Sequence, residues 1–255
     1  MHDLSVVIST YNGLDKLKLT LAAYRNQTHK NFEIIIAADG SNQETLDFIS
    51  SNKKNYPYQL KCVWHKDEGF RLARIRNCGW RIAESNRVIF TDHDIVPNAD
   101  CLSNYLKYSD HDLALTGYIG WINEEIHSLF SEENIGKIDR FEPFMSEPEK
   151  RNFRKYDWQV VWGGNCSFTK DIYDKTGGFD EEFIGWGGED TDLALRCQRG
   201  GWLIKTVAEA KMFHLNHQPG NSLNRTGSDL YYKHKRHDRT IRRNLDADYS
   251  DVITI

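Results

Sequence analysis

Apolar runs alternate with amphipathic periods through the first 92 residues, and few folds satisfy that alternation. Leu4–Thr10, Phe32–Ala38, Leu60–His65 and Val88–Asp92 are short runs rich in Val, Ile and Phe. Near-continuous apolar runs of this length are the pattern of strands buried on both faces. Between them, Leu14, Leu17, Leu21 and Tyr24 recur at helical spacing. Ser41 with Glu44 reads as a capping box opening a second helix over Asn42–Ser51. A third, arginine-bearing helix is expected over Phe70–Glu84. Strand, helix, strand in strict succession predicts an α/β domain with a doubly wound, largely parallel sheet.

Each predicted strand runs out into polar residues: Thr10–Asn12, Asp39–Ser41, Asp67, and Asp92–Asp94. In open α/β sheets ligands bind at this carboxyl edge, so a nucleotide would lie across these four ends. No G-x-G-x-x-G follows the first strand and no G-x-x-x-x-G-K-[ST] is present, which argues against dinucleotide and P-loop chemistry. Asp92-His93-Asp94 places two carboxylates one residue apart at a strand end. They repel each other unless a cation neutralises them. A hard divalent ion holding a diphosphate is the economical occupant; a solvated acidic turn is the plainer alternative. Pro97 is expected to end any regular ladder.

Downstream, a helix is expected over Asp100–Tyr108 and a strand over Leu113–Ile119. The polar segment 121–155, with Pro143 and Pro148, reads as helical pieces and mobile loop of the kind that orders over a bound ligand. Order returns at Trp158–Phe168, followed by a short helix over Lys170–Thr176. Gly185-Trp186-Gly187-Gly188-Glu189-Asp190 then opens a helix that Gly200-Gly201 closes. Glycines around Trp186 allow close backbone approach and leave the indole free to stack. Glu189 and Asp190 fall in the first helical turn, where the partial positive charge favours ionised carboxylates. A carboxylate beside an aromatic platform suits a general base for a hydroxyl nucleophile; a capped helix with first-turn acids is the structural alternative. Trp202–Val207 is expected as a strand, with Met212–His217 after it. An imidazole from His214 or His217 would complete a Mn²⁺ site begun by an Asp. Arg71, Arg74, Arg76 and Arg81 form either a solvated helix face or a set from which one reaches a phosphate.

Composition narrows the classes further. A formal charge of −4 gives no reason to expect nucleic acid. The five cysteines are odd in number and form no C-x-x-C, so reduced thiols are expected rather than a disulfide frame or zinc site. No apolar run reaches a membrane-spanning length and no secretory signal is visible, so the expected location is cytoplasmic. Lys233–Arg243 holds six Lys and Arg in eleven residues, a patch for peripheral contact with anionic membrane or simply a solvated end.

These motifs together resemble the family 2 glycosyltransferases of the GT-A fold. Thr10-Tyr11-Asn12, Asp39-Gly40-Ser41, Gly69 with Arg74–Asn77, and Asp92-His93-Asp94 look like that family's sugar-nucleotide half. Gly163-Gly164-Asn165, Gly178–Glu181, Trp186–Asp190 and Met212–His214 are similar to a galactosyl- and N-acetylgalactosaminyl-transferring group within it. The resemblance implies a Rossmann-like, mostly parallel central sheet flanked by helices. Residues 1–98 would bind the nucleotide sugar, 99–220 would carry the acceptor and catalytic half, and 221–255 would be a basic tail.

It also implies roles. Tyr11 and Asp39 would hold uracil, and Thr10, Asn12, Arg71, Arg76, Asp92, His93 and Trp186 would complete the donor contacts. Asp94 and His214, with Asp92 directly or through water, would hold Mn²⁺ or Mg²⁺. Asp190 would deprotonate the acceptor hydroxyl, with Glu189 orienting sugar hydroxyls, for inverting transfer from a UDP-sugar. Galactose or N-acetylgalactosamine is the favoured sugar, and the acceptor a glycan, glycoprotein or lipid-linked oligosaccharide. The family often has two acids at the second strand end, whereas Ala38-Asp39 leaves only Asp39 there. UDP-glucose is the alternative donor, and a non-catalytic nucleotide- or glycan-binding domain the alternative class.

Overall fold

A computed structural model of the chain describes residues 2–122, 124–138, 157–215 and 235–255. His217, and residues 123 and 139–155 of the expected loop segment, lie outside that set. The first half follows the alternation: β1 (Leu4–Thr10), α1 (Leu14–Arg25), β2 (Phe32–Asp39), α2 (Gln43–Asn52), β3 (Gln59–His65), α3 (Leu72–Ile82) and β4 (Arg87–Asp92). Then come β5 (Ile95–Pro97), α4 (Cys101–Leu106), β6 (Leu113–Ile122), α5 (Glu124–His127), a 3-10 turn at Asp157–Val160, β7 (Cys166–Thr169), α6 (Lys170–Thr176), α7 (Glu189–Arg199), β8 (Leu203–Leu215) and β9 (Ile253–Thr254).

Among the described residues one sheet forms, in the order β5-β8-β6-β7-β4-β1-β2-β3-β9. β3, β2, β1 and β4 are mutually parallel, while β7, β5 and β9 pair antiparallel to their neighbours. Side-chain alternation along β1 divides the core in two. Leu4, Val6 and Ile8 pack with α1, α2 and α4, whereas Val7 packs with α3, α6 and α7. The sheet is therefore covered on both faces, which is why β1 and β2 are buried at every position.

Three local expectations change. α2 is capped by Asn42, whose Oδ1 accepts from Thr45 N at 3.0 Å, rather than by a Ser41–Glu44 box. Ser41 instead donates from Oγ to Thr10 O at 3.2 Å, because a loop contact between two strand ends claims its hydroxyl. Pro97 is the last residue of the edge strand β5, so the ladder ends there as expected. The two expected segments after Trp202 are one 13-residue strand, β8, with a bulge opposite Gly117/Tyr118. Finally, residues 235–255 run back over the body. Arg243 is buried with its Nε 3.0 Å from Asp180 Oδ2, and Ile255 exchanges backbone hydrogen bonds with Cys62. All five cysteines are buried thiols.

Candidate active site

Parallel pairing brings the carboxyl ends of β1, β2, β3 and β4 side by side, with Ser9 opposite Asp92 and Asp39 opposite His65. The β1 end is shaped by Asn12, which adopts φ 51° and so turns the chain sharply. Its Oδ1 accepts from Asn42 N at 2.7 Å, and its own N–H donates to Ser41 Oγ at 3.3 Å. Thr10 is buried beneath this turn. Tyr11, 48% exposed, donates its hydroxyl to Asp67 Oδ2 at 3.0 Å, a bond that raises the phenol's pKa above its ordinary value. Across from it, Asp39 accepts from Arg71 N through Oδ2 at 2.9 Å. Its Oδ1 lies 3.3 Å from His65 Nε2. Burial pushes the Asp39 carboxyl upward, opposed by the Arg71 N–H. Arg71 contributes its backbone here, and its guanidinium lies 3.9 Å from Glu68.

Arg76 is 1% exposed and joins the two halves of the site. Its Nη2 donates to Asp92 Oδ1 and its Nη1 to Glu189 Oε1, both at 2.8 Å. Asp92 also accepts from Ser9 Oγ. Gly163 lies flat against the same guanidinium: a Cβ there would sit 2.3 Å from Arg76 Nη1. Arg76 is committed to two buried-side carboxylates and forms the cross-link under the cleft, because α3 points it inward between β4 and α7.

Beyond Asp92, the His93 N–H donates to Ser9 O at 2.9 Å, while the His93 ring closes over Gly13. The pairing of β5 with β8 sets Ile95 opposite His214. That register brings Asp94 Oδ2 to 3.8 Å from His214 Nε2, with Asp94 buried. Two ligand atoms each roughly 2.1 Å from one ion lie about 3–4 Å apart, so the pair fits a shared divalent cation. Asp92 does not complete a third short-range ligand. Among the described residues the sole tight three-ligand cluster is His2–Glu33–Glu84, and Lys61 Nζ already sits 2.7 Å from Glu33 and 2.5 Å from Glu84 there. The Trp121 ring lies against His214, tilted by 32° with 4.3 Å between centroids, and remains 42% exposed.

On the far side, Gly185, Gly187 and Gly188 all have φ above +90°, a region that side chains rarely enter. The Gly185 N–H is tied to Phe70 O at 3.1 Å, and Trp186 projects 45% exposed between these glycines. α7 then begins with its acids. Glu189 is buried, and burial first, then Asp190, push its carboxyl up to about 7 against the opposing Arg76 charge. Asp190 is more open. Its Oδ2 accepts from Gly163 N at 2.7 Å and its Oδ1 from Thr191 N at 2.6 Å. Asn165, by contrast, is consumed by the fold: Tyr105 donates to it at 2.7 Å, and it donates to Tyr118 O and Ala210 O.

Over residues 5–177 the chain matches the family described as glycosyl transferase family 2. It belongs to that family. Residues 145–218 further match the "N-terminal domain of galactosyltransferase". Chondroitin synthase of Escherichia coli is 31% identical over 238 residues, which cover 83% of this chain and 34% of that protein. Validoxylamine A glucosyltransferase of Streptomyces hygroscopicus subsp. jinggangensis is 29% identical over 221 residues, 78% of this chain and 52% of its own. This family 2 chain therefore spans between a third and about half of those relatives. S. aureus TarS 1–349 in complex with UDP-GlcNAc superposes with a TM-score of 0.66 at 15% identity, covering 88% of this chain and 61% of that one. The mannosyltransferase PcManGT from Pyrobaculum calidifontis gives 0.62 at 16%, covering 86% and 58%. The fold is the GT-A-like α/β arrangement of these neighbours.

The structure gathers Tyr11, Asp39, Asp92, His93 and Asp94 along one sheet edge, with His214 beside Asp94. Glu189 and Asp190 reach it from α7 through Arg76 and Gly163. The motif reading missed the second partners: Ser9, His65, Gly163 as a flat support, and Trp121. Gly163-Gly164 was visible as a motif, but its packing against Arg76 depends on α3 meeting the segment that leads into β7. Ser9 and His65 are ordinary strand-end residues whose partners lie 83 and 26 positions away.

Proposed function

We propose that this domain transfers a hexose or N-acetylhexosamine from a UDP-sugar to a hydroxyl of a glycan acceptor, with inversion at the anomeric carbon. The observation that carries the reading is the row of acids along one sheet edge. Asp39, Asp92 and the Asp94–His214 pair lie on the donor side, and Arg76 links them to Glu189 and Asp190. Tyr11 and Asp39 flank the position for a base, with Asp39 accepting from its N–H. Asp92, held by Ser9 and Arg76, meets the ribose or a metal-bound water. Asp94 and His214 would hold Mn²⁺ or Mg²⁺, which supplies charge neutralisation to the leaving diphosphate.

Asp190 takes the proton of the acceptor hydroxyl. The freed oxygen bonds to the anomeric carbon as its bond to the β-phosphate oxygen breaks, and UDP departs with that electron pair. Its hydrogen bond from Gly163 fixes where Asp190 points, as general-base catalysis requires. Trp186 offers an exposed ring to a sugar face, and Trp121 a second one beside His214. Galactose or N-acetylgalactosamine is favoured by the galactosyltransferase match over 145–218. The chondroitin synthase relative favours a polysaccharide acceptor, and the glucosyltransferase relative keeps UDP-glucose as the second donor. A lipid-linked acceptor would bring the chain to a membrane surface, where Arg236, Arg239 and Arg242 are exposed. No helix among the described residues is long and apolar enough to cross one.

The test is a thermal-shift titration with UDP, with and without Mn²⁺. At about 100-fold over Kd, ligand adds about 2.7 kcal/mol, which for this size shifts Tm by roughly 5–10 °C. A shift that needs both ligands and vanishes in Asp94→Ala supports the donor site. A shift with a different nucleotide alone would replace the donor, and none with any nucleotide would leave a glycan-binding module.

A further inference from the structure

We propose that His65 is a positioning residue for the donor nucleobase: its imidazolium form clamps Asp39 so that the carboxylate faces the base N–H. The inference rests on the assignment of Asp39 to the base made above. Asp39 and His65 are register partners at the ends of parallel β2 and β3. His65 Nδ1 lies 2.9 Å from Lys66 O. A carbonyl oxygen only accepts, so that ring nitrogen carries a hydrogen. The other nitrogen, Nε2, is 3.3 Å from Asp39 Oδ1. Both atoms are buried, and neither has a hydrogen-bond partner among the described residues.

With His65 neutral, a lone pair on Nε2 would face a carboxylate oxygen in a nearly dry place, an arrangement that repels. A proton on Nε2 replaces that repulsion with a charge-assisted attraction across the 3.3 Å contact. Asp39 is then gripped at both oxygens, Oδ1 by His65 and Oδ2 by the Arg71 N–H, with its remaining acceptor capacity toward the cleft. Burial pushes the Asp39 carboxyl upward, and the Arg71 N–H and the His65 charge both oppose that push and favour the carboxylate.

Other charges around the pair are few. Asp67, which accepts from Tyr11 and from the Gly69 N–H, acts on Asp39 as a like charge and Arg71 as an opposite one; Lys66 follows His65 in sequence, and Glu68 faces Arg71. On the outer side, β9 presents Ile253 and Thr254 to β3, and Ile255 exchanges backbone hydrogen bonds with Cys62. The glycine-rich and D-x-D motifs give no hint of this residue, since its only mark is its place at a strand end.

The experiment is calorimetric titration of UDP, in saturating Mn²⁺, from pH 5.5 to 9, for the wild type, His65→Gln and His65→Leu. Glutamine keeps a neutral N–H donor toward Asp39, whereas leucine keeps bulk without a donor. UDP's own phosphate titration is common to all three and cancels in ratios of Kd. Wild-type affinity is expected to fall at least tenfold relative to His65→Gln as pH rises from 6 to 8.5. His65→Leu should bind at least tenfold more weakly than wild type at pH 6. A wild-type to His65→Gln ratio that is flat with pH overturns the proposal, even if the leucine variant fails to fold. So does a folded His65→Leu that binds as tightly as wild type at pH 6. Absence of UDP binding by the wild type at every pH would instead overturn the donor-site reading beneath it.

Discussion

Replacing Arg76 with glutamine tests whether the cleft is held together from below. The guanidinium makes two 2.8 Å charge-assisted hydrogen bonds, to Asp92 and Glu189, and is 1% exposed. Glutamine leaves both carboxylates without a cation. Removing one member of a buried charge pair costs about 3–5 kcal/mol, mostly from the charge left behind. Each kcal/mol moves Tm by about 2–4 °C in a domain of this size, so the midpoint should drop by about 6–20 °C.

The loss carries a pH signature. The folded Glu189 carboxyl is raised from 4.5 to about 7, so the folded state holds its proton more tightly than the unfolded state. Its contribution to wild-type stability is therefore greatest below about pH 4.5 and declines as pH rises toward 7. Without Arg76 the opposing pull is gone, the carboxyl rises further, and the decline continues above pH 7. Urea denaturation at pH 6 and pH 8 should show the larger gap between variant and wild type at pH 8. A variant within about 1 kcal/mol of wild type at pH 8 would refute the reasoning, since that is the scale of an exposed pair. So would a gap that is the same at both pH values.

Other outcomes follow from the same geometry. Asp190→Asn should keep UDP affinity in Mn²⁺ but lower transfer by about 10²–10⁴-fold, the usual worth of a general base; loss of UDP binding as well would make Asp190 structural. Gly163→Ala should destabilise by about 1–3 kcal/mol, as overpacking does, because its methyl would meet Arg76 Nη1 at 2.3 Å; an unchanged urea midpoint would count against the support role. Removal of residues 235–255 uncovers buried Asp180 and the β3 edge, so a lower Tm and faster aggregation are expected. Sedimentation with anionic vesicles, before and after that truncation, tests the membrane role of the exposed tail arginines, and equal sedimentation ends it.

Sequence alone determined the parts of this protein that depend on local periodicity. Buried strands and amphipathic helices announce themselves through spacing, and the acids at strand ends follow from where each apolar run stops. Hence the sheet class, the carboxyl edge and the row Tyr11, Asp39, Asp92, Asp94 were legible, as was the placement of Glu189 and Asp190 in a first helical turn. Tertiary structure decided what those side chains are bonded to. Whether Arg76 meets a phosphate or two carboxylates depends on α3 facing α7 across 113 residues of chain. Whether His214 approaches Asp94 depends on β5 pairing with β8 across more than a hundred residues of chain. Likewise, His65 looks like the last residue of a strand until register sets it beside Asp39. The capping residue of α2 changed because Ser41 had a competing loop partner. The basic tail reads as a solvated run because the buried acid that Arg243 answers, Asp180, lies far away in sequence. Local pattern carries burial and backbone conformation; the partners of charged and polar side chains are set by long-range pairing, which one-dimensional spacing does not encode.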